Sequence, residues 1–371
     1  MELSIRREDL TRGLYLVQGV VERRSTVPIL ANVLLEPAES GIALTATDME
    51  VGLRARVPAE VKKKGTVTVN ARKLYEISRE VTAEELVLKA SSAGWVDVLA
   101  GRSKFKVVSL EPKDFPQLPL AGESKVGVAV EIAAGTLREM IDKTLFSVST
   151  DETRFNLSGV LMESGEGGVL RMVATDGHRL AKVDRRVPGL KLERGAIMPR
   201  KGVVEARKLL DEVEQGDVTL TVSAKDVRLS TPSISFFMRL IEGEFPDYRQ
   251  VIPGSVRAKA RFNRNDLLAA LRRISLLASE RSRGVKLHLE KGRLDASASN
   301  PDQGEASEDI EISYGGEPLT VGFNARYLIE VLNAHPEGEV IELGLTDEVG
   351  PGTVTGASDP EYTYVVMPMR L

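Results

Sequence analysis

The chain has 371 residues, 42% of them hydrophobic, no cysteine and a formal charge of −4 at pH 7. That length is more than one compact core usually holds and predicts two or three domains. The missing cysteine excludes disulfides, a thiol nucleophile and Cys-based zinc or iron–sulfur sites, and points to a reducing compartment. The slight acidity counts against a uniformly basic nucleic-acid binder and leaves the distribution of charge open. Charges at residues 6 to 9 stand where a signal peptide has its apolar core, and no stretch approaches the roughly 18 uncharged apolar residues of a membrane span. A soluble, cytoplasmic protein is expected.

The first predicted element is an amphipathic helix over 7–21, "REDLTRGLYLVQGVV", in which Leu10, Leu14, Val17 and Val21 recur at spacings of three and four. "GIALTATDMEVGLRARV" (41–57) follows as a hairpin: Ile42, Leu44 and Ala46 alternate before a polar turn, and Val51, Leu53, Ala55 and Val57 alternate after it. A second helix falls on "NARKLYEISRE" (70–80), and "QLPLAGESKVG" (117–127) breaks the periodic patterns as a joint would. The succession then recurs with "AGTLREMIDKTLFSV" (134–148), the turn-bearing "VATDGHRLAKV" (173–183), the helix "PRKGVVEARKLLDE" (199–212) and the alternating "VTLTVSAKDVRLST" (218–231). After a second joint in "VIPGSVRAKA" (251–260) come the helices "NRNDLLAALRRISLLASE" (263–280) and "NARYLIEVLNAH" (324–335) and the strand pattern "VIELGL" (340–345).

Self-comparison turns this succession into a repeat. "ATDMEVG" begins at Ala46, "ATDGHRL" at Ala174 and "ASNPDQG" at Ala298, offsets of 128 and 124 residues. The second helices begin at Asn70, Pro199 and Asn324, offset by 129 and 125, and "DFPQL" against "FPDYR" sets Phe115 and Phe245 130 apart. Agreeing offsets from independent markers predict three diverged copies of one α+β unit, each with an opening helix, a hairpin, a second helix and further antiparallel strands, with boundaries at 1–122, 123–252 and 253–371.

Asp176, His178 and Arg179 invite a catalytic reading, because a carboxylate beside a histidine orients a general base. The repeat argues otherwise. "ATD" in the first copy occupies the same hairpin turn, where Met49 and Glu50 follow and no histidine exists. Asp176 reads as a turn residue bonding amides two residues on, and Gly177 as a carrier of positive φ. His178 reads as a surface or binding residue, with a metal-dependent or acid–base hydrolase as the rival. His288 and His335 stand in other settings, and the chain has no HExxH or GxSxG motif. "SGEGGVL" (164–170) is glycine-rich, but no helix follows it to offer an N-terminus to phosphate.

The triple repeat, "VPILANVLLE" (27–36), "VATDGHRLA" (173–181), "FPDYR" (245–249) and the terminal "YVVMPMRL" (364–371) together resemble the DNA polymerase III beta subunits, the bacterial sliding clamps, over essentially the whole chain. The resemblance implies the DNA-clamp fold: three tandem domains of two helices on antiparallel sheet, assembled head to tail as a homodimeric ring. Such a ring encircles double-stranded DNA of any sequence. It tethers the DNA polymerase III alpha subunit, the clamp-loader complex, and other DNA polymerases and repair proteins, with no enzymatic activity, cofactor, metal or membrane role.

Twelve helices at roughly 10 Å spacing close a circle about 38 Å across at their axes, and subtracting roughly 5 Å of helix radius per side leaves about 28 Å for a hydrated duplex. The six helical windows hold 20 basic and 14 acidic residues, a net charge of +6 that leaves −10 for the rest of the chain. That excess is what a phosphate-facing lining needs, and it is equally what solvated helix faces carry. By resemblance, Arg24, Arg154, Phe155 and Lys201 are DNA contacts. The partner-peptide cleft is implied to comprise Leu157, Thr175, Gly177, His178, Arg179, Leu180, Pro246, Val251, Tyr327, Val349, Val365, Met367, Pro368, Met369 and Arg370. His178 and Arg179 would fix a peptide backbone from its edge, and thioethers would adapt to varied side chains. Gln250 stands where an Arg follows "FPDYR" in familiar members, and Ser282 where an aromatic is found. Ring closure would pack Phe105 on Leu276 and Leu277, with Arg102 and Lys104 facing Glu305 and Glu308.

Overall fold

The computed structural model describes residues 1–21, 26–91, 94–118, 127–151, 153–213 and 216–370. Among these are six α-helices: α1 (Arg7–Gln18), α2 (Ala71–Glu80), α3 (Ala134–Thr144), α4 (Arg200–Glu212), α5 (Arg264–Ile274) and α6 (Ala325–Asn333). The chain divides into two compact units, Met1–Arg138 with Gly189–Leu192 and Lys201–Leu240, and Glu139–Pro188 with Glu193–Arg200 and Ile241–Leu371.

The first unit holds two antiparallel sheets. One runs Glu60–Lys63, Glu2–Arg6, Glu85–Ala90, Trp95–Ala100, Ser103–Val108. The other has eight strands in the order Val128–Ala133, Asp217–Val222, Asp226–Ser230, Ile234–Arg239, Val51–Pro58, Gly41–Thr47, Asn32–Ala38, Val67–Asn70. Its first four strands come from the second repeat and its last four from the first, and they meet where Phe236 pairs with Leu53 and Phe237 with Gly52. The second unit repeats the plan. Ala196–Pro199, Gly159–Gly165, Val169–Thr175 and Arg179–Arg186 of the second repeat continue into Asp359–Val366, Gly352–Gly356, Val340–Leu345 and Ala258–Asn263 of the third, through pairs such as Leu180 with Val365. A four-stranded sheet completes it: Gly304–Glu311, Arg293–Asn300, Gly284–Glu290, Leu319–Asn324. Compactness therefore follows the sheets across the repeats, because a strand at the end of a half-sheet satisfies its backbone groups by pairing with the next repeat.

Each repeat opens with a strand, where the sequence reading began with a helix. Glu2–Arg6, Val128–Ala133 and Ala258–Asn263 precede α1, α3 and α5. Their short alternations bury Leu3 and Ile5, Val130 and Ile132, and Ala260 and Phe262, a period of two that the stronger helical signal beside them obscured. The helices also stop early. Val21 lies beyond α1, and Leu276 and Leu277 sit in a 3-10 turn, Ser275–Leu277, past the end of α5. The repeated "NAR" has a local cause, since Asn70 accepts the Lys73 N–H at 3.0 Å and Asn324 the Arg326 N–H at 3.0 Å, each capping the orphan donors of a helix start. α1 buries Leu10, Leu14, Leu16 and Val17. At Gly13 it approaches the sheet so closely that a Cβ would stand 2.7 Å from Leu44 Cδ1.

The hairpin of 41–57 forms as read, with Leu44 opposite Ala55 and Ala46 opposite Leu53. All seven residues of Gly41–Thr47 are buried, so both its faces are covered. In the turn, Asp48 Oδ1 accepts the N–H groups of Glu50 (2.9 Å) and Val51 (2.6 Å), and Thr47 Oγ1 accepts that of Met49 (2.9 Å). The turn drives Met49 to φ 80°, a conformation that costs a side-chain-bearing residue about 1 kcal/mol relative to glycine. Met49→Gly is expected to stabilise the fold by ~0.5–1 kcal/mol, read as a higher urea midpoint at unchanged slope. A lower midpoint would show that the exposed Met49 side chain contributes more than the strain it imposes.

Candidate functional site

The turn at 175–179 repeats that of 47–51 bond for bond. Asp176 Oδ1 accepts the N–H groups of His178 (2.9 Å) and Arg179 (3.1 Å); Thr175 Oγ1 accepts that of Gly177 (3.1 Å) and donates to the Arg179 carbonyl (2.6 Å). Gly177, at φ 88°, replaces Met49. In the third repeat Asn300 Oδ1 accepts the Asp302 N–H at 3.0 Å in the same place. Asp176 is thus a turn former, and its other oxygen takes Arg179 Nε at 3.0 Å. His178 projects exposed from the tip.

Behind the turn lies an apolar floor of the buried side chains Leu161, Val173, Leu180, Ile197, Tyr248 and Val365, covered in part by Ile241, Phe245 and Ile252. Strand register brings Leu180 opposite Thr175 on one side and Val365 on the other. The tail closes one wall: the Met367 N–H donates to the His178 carbonyl at 2.8 Å and the Met369 N–H to the Gly322 carbonyl at 2.9 Å. Met367 stays 38% exposed beside this floor. Leu157 is buried in the 3-10 turn Phe155–Leu157, Pro246 and Val251 flank Tyr248 on the surface, and Pro368 and Met369 are half-buried while Arg370 is exposed. Val349 sits in an exposed loop turned by Asp347, and among the described residues no bond ties it to the floor.

Arg179 departs from the expectation that it serves at the edge. Its side chain is 5% exposed and bonds Asp176, Glu330 and the Phe146 carbonyl, with its guanidinium 4.3 Å from the centroid of the Tyr327 ring. Burial alone would disfavour the charge, but the Glu330 and Asp176 carboxylates outweigh it and keep the guanidinium protonated. Arg179 is a strut beneath the turn and His178 its exposed neighbour. The floor residues Leu161, Val173, Ile197 and Tyr248 escaped the sequence reading. Their alternation was visible, but which strands would meet was not. Tyr248 is fixed by Glu163 and by Arg171 (3.2 Å), and burial together with the Glu163 carboxylate pushes its phenol up to about 12. Gln250 donates to Asp247 at 3.2 Å, and Ser282 Oγ accepts the Gly284 N–H at 3.3 Å.

Profiles of the DNA polymerase III beta subunit match three successive stretches: the N-terminal domain at residues 1–119, the central domain at 131–247 and the C-terminal domain at 249–370. The chain belongs to this family. It is 38% identical over 374 residues to the beta sliding clamp of Pseudomonas aeruginosa, covering all of both chains. Solved structures agree: a Bartonella birtlesii sliding clamp bound to griselimycin superposes with a TM-score of 0.93 at 37% identity over 100% of both chains. The Thermotoga maritima DNA polymerase III beta subunit gives 0.91 at 27% identity over 100% of this chain and 99% of that one.

The residues that the clamp family offers as DNA contacts have mixed fates. Arg24 lies outside the described residues. Arg154 is exposed and 3.7 Å from Asp151, and a Cβ on Gly177 would stand 2.9 Å from its Nη1, so it borders the cleft turn. Phe155 beside it is 60% exposed. Lys201, at the start of α4, is paired with Asp48. Of the ring-closure residues, Arg102, Lys104 and Phe105 lie on or beside the sheet-terminal strand Ser103–Val108, Phe105 half-buried. Leu276 is 76% exposed and Leu277 half-buried, and Glu305 and Glu308 lie on the terminal strand Gly304–Glu311. Glu308 holds Arg273 Nε at 2.8 Å within its own chain.

The other two histidines are spoken for. His288 Nδ1 meets Thr320 Oγ1 at 2.8 Å, and His335 Nδ1 meets Glu339 at 2.9 Å. Among the described residues no group of three or more His, Cys, Asp or Glu could hold a metal ion, and no helix is long and apolar enough to cross a membrane. The 164–170 stretch is a hairpin tip with Gly167 at φ 71° and Gly168 at φ 76°, over a polar cavity of about 460 Å³ lined by Ser164, Glu166, Arg171, Asp184 and Arg249.

Burial pushes His335 down from its ordinary 6.5 despite Glu339. The unfolded chain therefore takes up the proton first, and the contribution of His335 to stability is lost as pH falls below 6.5. His335→Asn retains an N–H for Glu339 and cannot titrate. Its urea midpoint is expected to fall less steeply than the parent's between pH 7.5 and 5.5, and equal slopes would exclude His335 as the source.

Proposed function

We infer that this chain is the processivity clamp of DNA polymerase III, a ring-shaped binding protein that encircles duplex DNA and tethers polymerases to it. The family match across all three repeats carries this reading. The domain boundaries are assigned at 1–122, 123–252 and 253–371, the location is the cytoplasm, and the role is binding without catalysis. Partners are DNA of any sequence, the polymerase alpha subunit, the clamp loader and repair proteins, and a second copy of the chain. Two unpaired sheet ends support head-to-tail closure: Ser103–Val108 with Phe105 on one side, and Gly304–Glu311 beside Leu276 and Leu277 on the other. Glu305 is then the freer acceptor for Arg102 and Lys104. Arg24, Arg154 and Phe155 are assigned to the DNA, with Lys201 a weaker contact because Asp48 already neutralises it.

The apolar floor walled by Met367 and His178 is assigned as the partner-peptide cleft. A concave apolar surface with a few polar groups at its rim is the usual form of such a site. Deleting Met367–Leu371 is expected to abolish binding of a polymerase-derived peptide while leaving the ring intact. His178→Ala should weaken the same peptide by about 1 kcal/mol, the worth of one edge hydrogen bond. Isothermal titration of both variants tests the assignment, and unchanged affinity in the deletion refutes it. A hydrolase built on Asp176 and His178 predicts instead a lost turnover with peptide affinity intact.

Phe105→Asp would bury an unpaired charge at the joint and should give folded monomers. Light scattering decides it: a dimer persisting at micromolar concentration would move the interface elsewhere. Electron microscopy of the parent protein is expected to show a six-lobed ring.

A further inference from the structure

The cleft turn is held from below by a charge relay that begins on α6. Of the three groups bonded to the Arg179 guanidinium, Asp176 belongs to the turn itself and Phe146 offers a neutral carbonyl. Glu330 is the one charged partner outside the turn among the described residues, and it also accepts from Arg326 Nε at 2.8 Å, one helical turn back. The first unit solves the same problem differently. There Val51 stands in the place of Arg179, and the turn carboxylate Asp48 takes Lys201, the second residue of α4, directly. Arg326 is likewise the second residue of α6, but it holds Glu330, which reaches the turn through Arg179.

A carboxylate on the turn cannot fix the turn to anything else, and a neutral carbonyl bonds a guanidinium less strongly than a carboxylate does. We propose that Glu330 is a positioning residue of the peptide cleft: acting through Arg179, it sets where the Thr175–His178 turn stands and hence where His178 and Met367 face a bound peptide. The link to Met367 is the hydrogen bond from its N–H to the His178 carbonyl. The proposal rests on the cleft reading above.

The test uses the full-length protein, griselimycin as probe, and the 13C-methyl signal of Met367. Glu330→Ala is expected to weaken binding by about tenfold, mainly through faster dissociation, and to shift the Met367 signal in the unbound protein. Glu330→Gln keeps an acceptor for Arg179 and should stay within about threefold of the parent. If Glu330→Ala does not fold, Glu330→Asp, whose carboxylate is drawn back by one methylene, is expected to show the same weakening and shift. Parental affinity in folded Glu330→Ala, or equal loss in the Gln and Ala variants with an unmoved Met367 signal, overturns the proposal. The Met367–Leu371 deletion runs alongside. If it alone loses binding, only the role of Glu330 has failed; if it too binds as the parent does, the cleft reading has failed and takes the proposal with it.

Discussion

Strand pairing between successive repeats is the constraint on which the rest of the molecule depends. Each repeat contributes a four-stranded half-sheet that ends in a row of unsatisfied backbone groups, and the next repeat supplies the missing neighbour: Ile234–Arg239 for Val51–Pro58, and Asp359–Val366 for Arg179–Arg186. Two such junctions use up the internal edges and give two compact units from three repeats. The end repeats keep outer strands with one side unpaired, and Gly304–Glu311, at eight residues, is the longest sheet-terminal strand among those described. A long open edge is a standing invitation to pair with a further strand.

The two junctions share one register and differ in what fills it. In the first unit Gly52 faces Phe237, and a Cβ on Gly52 would lie 2.1 Å from the ring, so the aromatic side chain occupies the space a neighbour would need. In the second, Leu180 faces Val365 and the aliphatic pair forms part of a buried apolar cluster with Tyr248 and Ile197, against which Ile241, Phe245 and Ile252 pack. The first junction is backed by Thr45 and Thr68, whose places in the second are taken by Val173 and Ile197. Thr68 Oγ1 donates to the Leu110 carbonyl at 2.7 Å, a bond that draws the local surface into the fold. A repeat doubled in backbone thus yields one junction filled by an aromatic ring and one filled by aliphatic side chains, decided by a handful of residues.

What was legible in the sequence follows from which signals are local. The Asp176 turn could be read because an Asx turn needs only the residues within it, and the first repeat supplied a copy without the histidine. The hairpin of 41–57 was legible for the same reason. The opening strands were not, since five or six alternating residues are too few to stand out against an adjoining helix with a strong apolar stripe. The burial of Arg179 was invisible because three of its four surroundings, Phe146, Tyr327 and Glu330, come from distant segments. Family likeness assigned that arginine to the cleft, yet whether it faced the ligand or lay beneath the turn depended on long-range packing. Lys201 shows the same limit: a lysine opening a helix looks available to phosphate until the fold brings Asp48 to it.

Burying a guanidinium under a turn is a costly way to support it, because its charge must be removed from water and an apolar group of similar volume often packs as well. The arrangement makes sense if placement matters more than stability. Hydrogen bonds from Nε, Nη1 and Nη2 go to three separate segments, and the planar group stacks on Tyr327 as well, so its position is set in direction as well as distance. An apolar plug would resist separation and tolerate sliding. In the first unit, where Phe237 fills the space beside Gly52, one lysine reaches the turn aspartate. In the second, the exposed tip at Gly177 and His178 is held by bonds to distant segments, and a loop ordered in advance spares any bound molecule the entropy of ordering it.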